Sequence, residues 1–229
     1  HLHNLLRMKD IEVPVGNRIE RAFVKSSYLN CENKKVQVYF LSNDRFFARE
    51  GIYSNPTTKE YFSDNDERFI FYCRGVLETL KRLGWQPKVI HCNDWQCGLI
   101  PMYLKTVYKN DPYFKDIKTV FTAYSLASHG IFPKSSFEKT GLPAESLAEI
   151  NGHGGKLNFL DAGMHFADIS TTFGVKADKK LVSGSEDSHE GSIKTKKSVI
   201  SLTVPSQNGK RGEELAEKFV SIYRDLAKS

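Results

Sequence analysis

The sequence predicts an α/β fold built on a doubly wound, mostly parallel sheet. Between residues 88 and 173, strands and helices alternate in the order β-α-β-α-β, and such alternation gives parallel strands with helices on both faces. A β-hairpin region precedes this part of the chain, and an amphipathic helix ends it. We therefore expect the terminal helix to pack back on the sheet.

The chain begins with the pattern of β-hairpins. Short runs that alternate apolar and polar residues are separated by turn-forming residues such as Gly16-Asn17. The next stretch, from Asn43 to Ser63, is a polar loop that is rich in Phe and Tyr. The predicted strands are Ile11–Val15, Arg18–Lys25 and Lys35–Leu41.

A long helix is predicted after this loop. Ser63–Arg68 combines a capping residue with an acidic first turn, and apolar residues then recur at helical spacing as far as Leu83. Gly84 follows Lys81 and Arg82 and is predicted to end the helix.

The alternating part of the chain contains three predicted strands and three predicted helices. A long loop is expected between the second strand and Pro143. The strands are Val89–His91, Thr119–Ala123 and Ala167–Phe173, and the helices are Gln96–Tyr108, Ala144–Asn151 and Lys156–Phe166.

A change of composition near the end predicts the domain division. Ser183–Arg211 is rich in Ser, Lys and Gly around one apolar run, Val199–Val204, whereas Glu213–Lys228 carries the apolar stripe of a helix. We expect residues 1–178 to form one domain and residues 179–211 to form a linker holding one strand. Residues 212–229 are predicted to be a helix that completes the same domain.

Composition narrows the classes of partner. The net charge is +6, but the basic residues are scattered in pairs, which favours a solvated surface over a nucleic-acid patch. The four cysteines lack zinc-site spacing and demand no disulfide framework, which fits a reducing cytoplasm. No run of about 18 apolar residues predicts a membrane span. We expect a cytoplasmic protein with no metal, no cofactor, and no nucleic-acid or membrane partner.

One candidate site follows the strand Val89–His91. Asn93, Asp94 and Trp95 lie where this strand gives way to a helix, and open α/β sheets bind ligands at such points. A helix N-terminus there favours anionic or hydroxyl-rich ligands. An interpretation that remains equally open is that Asp94 only caps the helix.

Several stretches together resemble one enzyme family. Over about residues 5 to 175, the chain is similar to bacterial glycogen synthases and plant starch synthases, the ADP-glucose-dependent glucosyltransferases of the GT-B fold. The resemblance implies that the predicted sheet is the Rossmann-like N-terminal domain of that fold, with its start missing. The motifs occur in the order and at the spacing of the family: Asp64–Phe69, Gly84–Pro101, Lys118–Thr122, Gly130–Pro133, Thr140–Pro143 and Lys156–Leu160.

The resemblance implies a reaction and two substrates. Glucose would pass from ADP-glucose to the non-reducing end of an α-1,4-glucan such as glycogen, with retention of configuration. Two Rossmann-like domains would close over the donor, the N-terminal one carrying the acceptor side and the C-terminal one most nucleotide contacts. Catalysis would rest on positioning and on stabilising the departing diphosphate.

The resemblance also implies roles for individual residues. Asp94 is a predicted catalytic residue that would hydrogen-bond the sugar or hold the loop. Tyr124 occupies the position of a family His and would face the cleft. The predicted substrate-binding residues are Asn93, Trp95, Gln96, Ser125 and Gly130.

The chain departs from the family pattern in four places. Tyr124 and Ser125 replace a His-Asn pair, and Asn93 replaces a His; a phenol cannot donate and accept as an imidazole does. The family's N-terminal Lys-x-Gly-Gly strand and its C-terminal donor domain have no counterpart in this sequence, which starts at His1 without Met. We expect a segment before His1, and an activity that is impaired or depends on a protein partner supplying a donor domain.

A second hypothesis is a non-catalytic relative that binds α-glucan or regulates a true glycogen synthase. In that case, the Tyr and Phe side chains of the loop at 43–62 would stack on sugar rings, although simple packing explains them as well. The terminal helix also has two interpretations. It is either the helix that crosses back onto the N-terminal domain in such synthases, or any amphipathic helix that covers an exposed sheet.

Overall fold

The computed structural model describes residues 3–31, 34–125, 130–150, 155–173, 199–202 and 211–228. The chain divides into two compact units. The first contains residues 1–85 and 135–141, and the second contains residues 86–134 and 142–229. Most of the predicted linker at 179–211 lies outside the described residues, so the predicted domain division stays a prediction.

The elements alternate as the sequence predicts once the initial hairpins have ended. The strands in the described part of the chain are β1 (His3–Val15), β2 (Arg18–Cys31), β3 (Lys34–Ser42), β4 (Val89–Asn93), β5 (Lys118–Ala123), β6 (Ile131–Phe132), β7 (Leu157–Asn158), β8 (Ile169–Phe173) and β9 (Val199–Leu202). The helices there are α1 (Asp44–Phe47), α2 (Asn65–Leu83), α3 (Leu99–Lys105), α4 (Phe137–Thr140), α5 (Leu147–Ile150), α6 (Phe159–Phe166) and α7 (Arg211–Leu226).

The first unit is built on an antiparallel sheet with the strand order β1-β2-β3. Val15 pairs with Arg18 across a two-residue turn in which Gly16 has a φ of 58°, a conformation that favours glycine. The predicted hairpin region is confirmed. Its strands extend beyond the predicted bounds, and the apolar residues Ile11, Val13, Val15, Ala22 and Val24 inside those bounds are buried.

Helix α2 packs against β1 in this unit. Gly84 is left-handed, and its N–H donates to the carbonyl oxygens of Leu80 and Lys81, which confirms the predicted helix end. At the other end, Asp64 occupies the N-cap position without a side-chain cap. Its two carboxylate oxygens instead accept bonds of 2.8 Å from Arg49, so the predicted capping is wrong at this position.

Aromatic residues of the loop at 43–62 pack largely within the first unit. Phe46 is fully buried, with its ring centroid 5.1 Å from that of Phe71. The ring centroids of Tyr53 and Phe69 are 5.9 Å apart. Tyr61 differs, because 72% of it is exposed. Packing therefore accounts for Phe46 and Tyr53, whereas sugar stacking stays a hypothesis for Tyr61.

The second unit holds a sheet of four parallel strands in the order β4-β5-β8-β9, and a small antiparallel pair formed by β6 and β7. In this unit, Gly163 of α6 lies so close to β5 that a Cβ there would be 2.3 Å from the Phe121 ring. On the other face of the sheet, the His91 ring of β4 lies 4.7 Å from that of Phe219 in α7. These faces are opposite because Cys92, the neighbour of His91, pairs with Phe121. The doubly wound sheet and the terminal helix packed on it are confirmed.

Two predicted helices of this unit are shorter than expected. The stretch predicted as Gln96–Tyr108 is a 3-10 turn at Trp95–Cys97 followed by α3, and Gly98 joins the two. The stretch predicted as Lys156–Phe166 starts as β7, because the Asn158 side chain accepts bonds from the next helix's first N–H groups and so fixes the start of α6.

The stretch predicted as a long loop after β5 contains β6 and α4. Strands as short as β6 and β7 show no sequence period that would predict them. The run at Val199–Val204 forms β9, and its last two residues lie outside the described part. Among the described helices, none combines the length and the apolar character that a membrane span requires.

Candidate functional site

The candidate site lies at the carboxyl ends of two neighbouring parallel strands in the second unit. Asn93 ends β4 and is followed by Asp94, Trp95 and Gln96, while Tyr124 and Ser125 follow β5 directly. The strands pair in register, with Asn93 beside Thr122. Carboxyl ends of parallel strands are where open α/β sheets bind ligands. We call residues 93–96 and 124–125 the strand-end site.

Asp94 holds the turn out of β4 in a strained backbone conformation. Its φ of 64° and ψ of 176° lie in a region that is almost confined to glycine. Two hydrogen bonds hold it there: its N–H donates to the Thr122 carbonyl oxygen at 2.8 Å, and its Oδ1 accepts from the Trp95 N–H at 2.9 Å. Asp94 therefore does cap the 3-10 turn, but a strain of about 1–3 kcal/mol is more than a cap requires.

The buried side chain of Trp95 packs against Gly130 and stabilises this turn. Trp95 is 8% exposed, and its ring lies 6.0 Å from that of Phe132. Gly130 has a φ of 73°, and a Cβ at this position would lie 2.7 Å from the indole. The close approach explains why glycine is needed at 130, while the predicted part of both residues in substrate binding stays a prediction.

Asn93 and Tyr124 are joined by a hydrogen bond. The Tyr124 hydroxyl donates to Asn93 Oδ1 at 3.0 Å, and both side chains are exposed, Tyr124 by 54%. Asn93 Nδ2 lies 3.4 Å from the His91 carbonyl oxygen, at the outer limit of hydrogen bonding. The structure thus brings Asn93 and Tyr124, two of the predicted site residues, into direct contact.

The Tyr124 ring also stacks on Phe173. The ring centroids are 5.2 Å apart, and the planes are inclined by 12°. Ala123 pairs with Thr172, so the residues that follow each of them are neighbours on one face of the sheet. Sequence reasoning missed Phe173, because only the strand register places it beside Tyr124.

The other two predicted residues lie at the edges of the site. Gln96 is partly buried within the 3-10 turn, and Ser125 is exposed at the end of the described stretch that follows β5. In the described part of the chain, no group of three or more His, Cys, Asp and Glu side chains could hold a metal ion.

A chain of hydrogen bonds connects the sheet beneath the site to α7. His91 Nδ1 lies 2.5 Å from the Tyr223 hydroxyl and its Nε2 lies 2.7 Å from Thr122 Oγ1, which is 2.6 Å from Thr171 Oγ1. The neutral ring donates at one nitrogen and accepts at the other. Burial lowers the pKa of His91 because it penalises the imidazolium form. Burial, and to a smaller extent the charge of Tyr124, raises the pKa of Tyr223.

Sequence reasoning also missed this series of hydrogen bonds through His91. The sequence pattern predicts only a strand at His91, and its hydrogen-bond partner Tyr223 lies 132 positions away. The sequence does carry a signal for this contact. A polar ring on a half-buried strand and hydroxyls on the apolar stripe of the terminal helix need hydrogen-bond partners when the two elements pack together.

Comparisons with known proteins give one consistent result. Residues 1–190 match the family model described as the starch synthase catalytic domain. The glycogen synthase of Chlorobium limicola is 39% identical over 193 residues, which are 84% of this chain and 39% of that protein. The glycogen synthase of Desulforudis audaxviator is 47% identical over 138 residues, or 60% of this chain and 26% of that protein. The chain thus spans about a third of the length of the curated relatives it matches.

A solved structure shows the same fold. The chain is similar to the catalytic domain of starch synthase IV from Arabidopsis thaliana bound to ADP and acarbose, with a TM-score of 0.61 and 19% identity. The match covers 74% of this chain and 34% of that one. At this identity, the likeness concerns the fold alone, and it confirms the predicted α/β class.

Proposed function

This chain belongs to the starch synthase catalytic domain family and has the α/β fold of a GT-B glycosyltransferase, and we propose that it supplies the acceptor side of a glucosyl transfer reaction. The reaction passes glucose from ADP-glucose to an α-1,4-glucan. The observation that carries the proposal is the strand-end site, where the strained Asp94 is held beside exposed amide, hydroxyl and phenol groups. The proposed location is the cytoplasm.

The chemistry of the site supports a sugar ligand. Asn93, Gln96 and Ser125 offer neutral donors and acceptors that match sugar hydroxyls. Asp94 is the carboxylate among them, and it accepts from a sugar hydroxyl or keeps the turn in place. The starch synthase IV structure holds ADP together with acarbose, which agrees with a nucleotide and an oligosaccharide binding to this family.

In this proposal, transfer needs more than the acceptor side. Catalysis of this kind depends on positioning and on stabilising the leaving diphosphate, for which a donor-binding part is required. That part comes from residues beyond this chain or from a partner protein. Tyr124 further slows the reaction, since its single hydroxyl is bound to Asn93 and a phenol cannot donate and accept as an imidazole does.

An assay with labelled sugar tests the proposal. The chain is incubated with labelled ADP-glucose and glycogen, alone and mixed with the donor-binding part of a related synthase. We expect background incorporation from the chain alone and clear incorporation from the mixture. A folded chain that gives no incorporation in any mixture contradicts the proposal. Strong incorporation by the chain alone supports the reaction but overturns the dependence on a donor part.

Two substitutions test the role of Tyr124 in the mixture. Tyr124→His with Ser125→Asn restores the family pair, and we expect the rate to rise. Tyr28→His is the matched control, because Tyr28 is an exposed tyrosine of the first unit and the rate should not change. An equal rate in all three proteins removes Tyr124 as the cause of slow transfer.

The exposed Tyr124 favours one alternative function, a non-catalytic α-glucan-binding or regulatory relative of glycogen synthase. Such a protein would keep glycogen affinity while lacking transfer in every mixture. Co-sedimentation with glycogen measures the affinity, and the rate of an active glycogen synthase with and without the chain measures regulation. Neither co-sedimentation nor a change in that rate would remove this alternative.

A further inference from the structure

The inference concerns the two stacked rings at the strand-end site, Tyr124 and Phe173, which we call the aromatic platform. We propose that the aromatic platform binds the apolar face of a glucose ring in an α-1,4-glucan chain. The proposal rests on the proposed function, since it names the part of the acceptor that this site holds.

The platform is held in one orientation before any ligand arrives. The Tyr124 backbone continues β5, its ring lies flat on Phe173 at 12° and 5.2 Å, and its hydroxyl donates to Asn93 Oδ1 at 3.0 Å. Three separate constraints on one exposed side chain remove most of its rotamer freedom. A ligand that binds to it therefore meets little entropic cost.

The contacts of Tyr124 determine which part of its side chain is exposed to solvent. Its hydroxyl is engaged by Asn93 and one ring face is partly covered by Phe173, yet 54% of the residue remains exposed. The exposed area therefore belongs largely to the second ring face. An aromatic face carries negative electrostatic potential and attracts the slightly positive C–H groups that line one side of a pyranose ring. Purely structural packing would instead bury that face.

Polar groups beside the platform match a sugar rather than a nucleotide. Asn93 and Ser125 are exposed at its edge and can bond the hydroxyls that radiate from a pyranose ring. The charged side chain among the described residues of the strand-end site is the carboxylate of Asp94. A carboxylate repels a diphosphate, so the electrostatics there favour a neutral glucan over the diphosphate of ADP.

Binding of maltoheptaose, a neutral α-1,4-glucan, tests the platform on the full chain. We expect Tyr124→Ala to weaken affinity by about tenfold, the size of a lost aromatic stacking contact. Phe173→Leu, which keeps bulk but removes the stacked ring, should weaken it by about threefold, and Tyr124→Phe, which keeps the ring and loses the bond to Asn93, by about twofold. Tyr28→Ala is the control for loss of an exposed tyrosine and should bind as the parent chain does.

A second measurement on the unmodified chain guards against variants that fold poorly. Nuclear magnetic resonance of protein labelled in Tyr and Phe should show the Tyr124 and Phe173 ring signals shifting with maltoheptaose, with the other exposed tyrosines unmoved. Binding that leaves these signals and the affinity of Tyr124→Ala unchanged overturns the platform while the proposed function stands. No binding of maltoheptaose or glycogen by the parent chain overturns both. Shifts with ADP but not with maltoheptaose overturn the platform in favour of a base-stacking site.

Discussion

Polar groups are used differently in the two units of this protein. In the first unit, charged side chains bind one another: Arg18 and Lys139 both contact Glu67, Lys139 lies 2.8 Å from Asp66, and Arg49 is bonded to Asp64. At the strand-end site of the second unit, the side chains are amide, hydroxyl and phenol groups beside one carboxylate.

The difference separates groups that hold a structure from groups that can hold a ligand. A guanidinium or ammonium already surrounded by carboxylates and carbonyls has little left to offer a substrate. The amide and hydroxyl groups beside a strained turn and an exposed ring match a neutral, hydroxyl-rich ligand. Function is thus expected at the strand-end site, where neutral polar groups predominate, and the charged network of the first unit is expected to act on stability.

The largest effect is expected from the buried arginine of the first unit. Arg68 is 3% exposed and donates to the carbonyl oxygens of Phe46 at 2.9 Å and Ile52 at 2.7 Å, and to Asn65 Oδ1 at 2.6 Å. Arg68→Met leaves three acceptors without these donors and should lower the free energy of unfolding by about 3–5 kcal/mol. Urea unfolding measures the loss.

Arg82→Met is the matched control for Arg68→Met. Arg82 is exposed on the same helix, so the same chemical change should alter the free energy of unfolding by less than about 0.5 kcal/mol. Similar losses of unfolding free energy in the two variants would show that the buried contacts of Arg68 stabilise the fold no more than an exposed arginine does. The charged groups of the first unit would then have no special role in stability.

A smaller loss is expected from the glycine that follows the 3-10 turn of the second unit. A Cβ on Gly98 would lie 1.8 Å from the Phe159 carbonyl oxygen, so Gly98→Ala must displace backbone between α3 and α6. We expect a loss of about 3 kcal/mol in urea unfolding, together with weaker glucan binding because the strand-end turn moves. Gly212→Ala is the control: nothing lies within 4 Å of its Cβ, and helix propensity should raise stability by roughly 0.5 kcal/mol. A stable Gly98→Ala protein would show that the turn is not tightly held.

The sequence predicts the framework of both units because each main element carries a complete local signal. The stripe of α2 ends at Gly84, and the short apolar runs at β4, β5 and β8 alternate with helices. Position at a strand end was enough to select Asn93 and Asp94. Their chemistry was less predictable, because the positive φ of Asp94 arises from its bond to Thr122, a residue of another strand.

Features that depend on register or distant contacts carry no local signal. The Tyr124–Phe173 stack requires knowing that β5 and β8 pair with Ala123 beside Thr172. The bond from His91 to Tyr223 requires knowing which face of the sheet α7 covers. The family resemblance does not predict these two contacts either. It compares single motif positions and does not say which side chains meet in the fold.

A pH-dependent loss of stability is expected from His91. Burial lowers its pKa below the usual 6.5, so between the two pKa values the unfolded chain binds more protons than the folded one. Stability then rises with pH through this window and falls as pH drops below about 6.5, by at most about 1.4 kcal/mol per pH unit. His91→Gln keeps a donor and an acceptor without titrating. The advantage of the parent chain over this variant should shrink between about pH 7.5 and pH 5.5, and an unchanged difference would mean that the pKa of His91 is the same in the folded and the unfolded chain.

The smallest effect on stability is expected at Asp94, where it separates the two interpretations of that residue. Asp94→Gly loses the carboxylate bond to the Trp95 N–H, worth about 1 kcal/mol, and adds a chain-entropy cost of roughly 0.5–1 kcal/mol, but it relieves a backbone strain of about 1–3 kcal/mol. The free energy of unfolding should therefore stay within about 1 kcal/mol of the parent value, while maltoheptaose affinity or glucosyl transfer in the mixture falls. Asp94→Asn, which keeps an accepting oxygen and the strain, controls for the cap. A loss of stability with unchanged glucan binding would show that Asp94 acts only as a cap. The one charged side chain of the strand-end site would then take no part in binding the ligand.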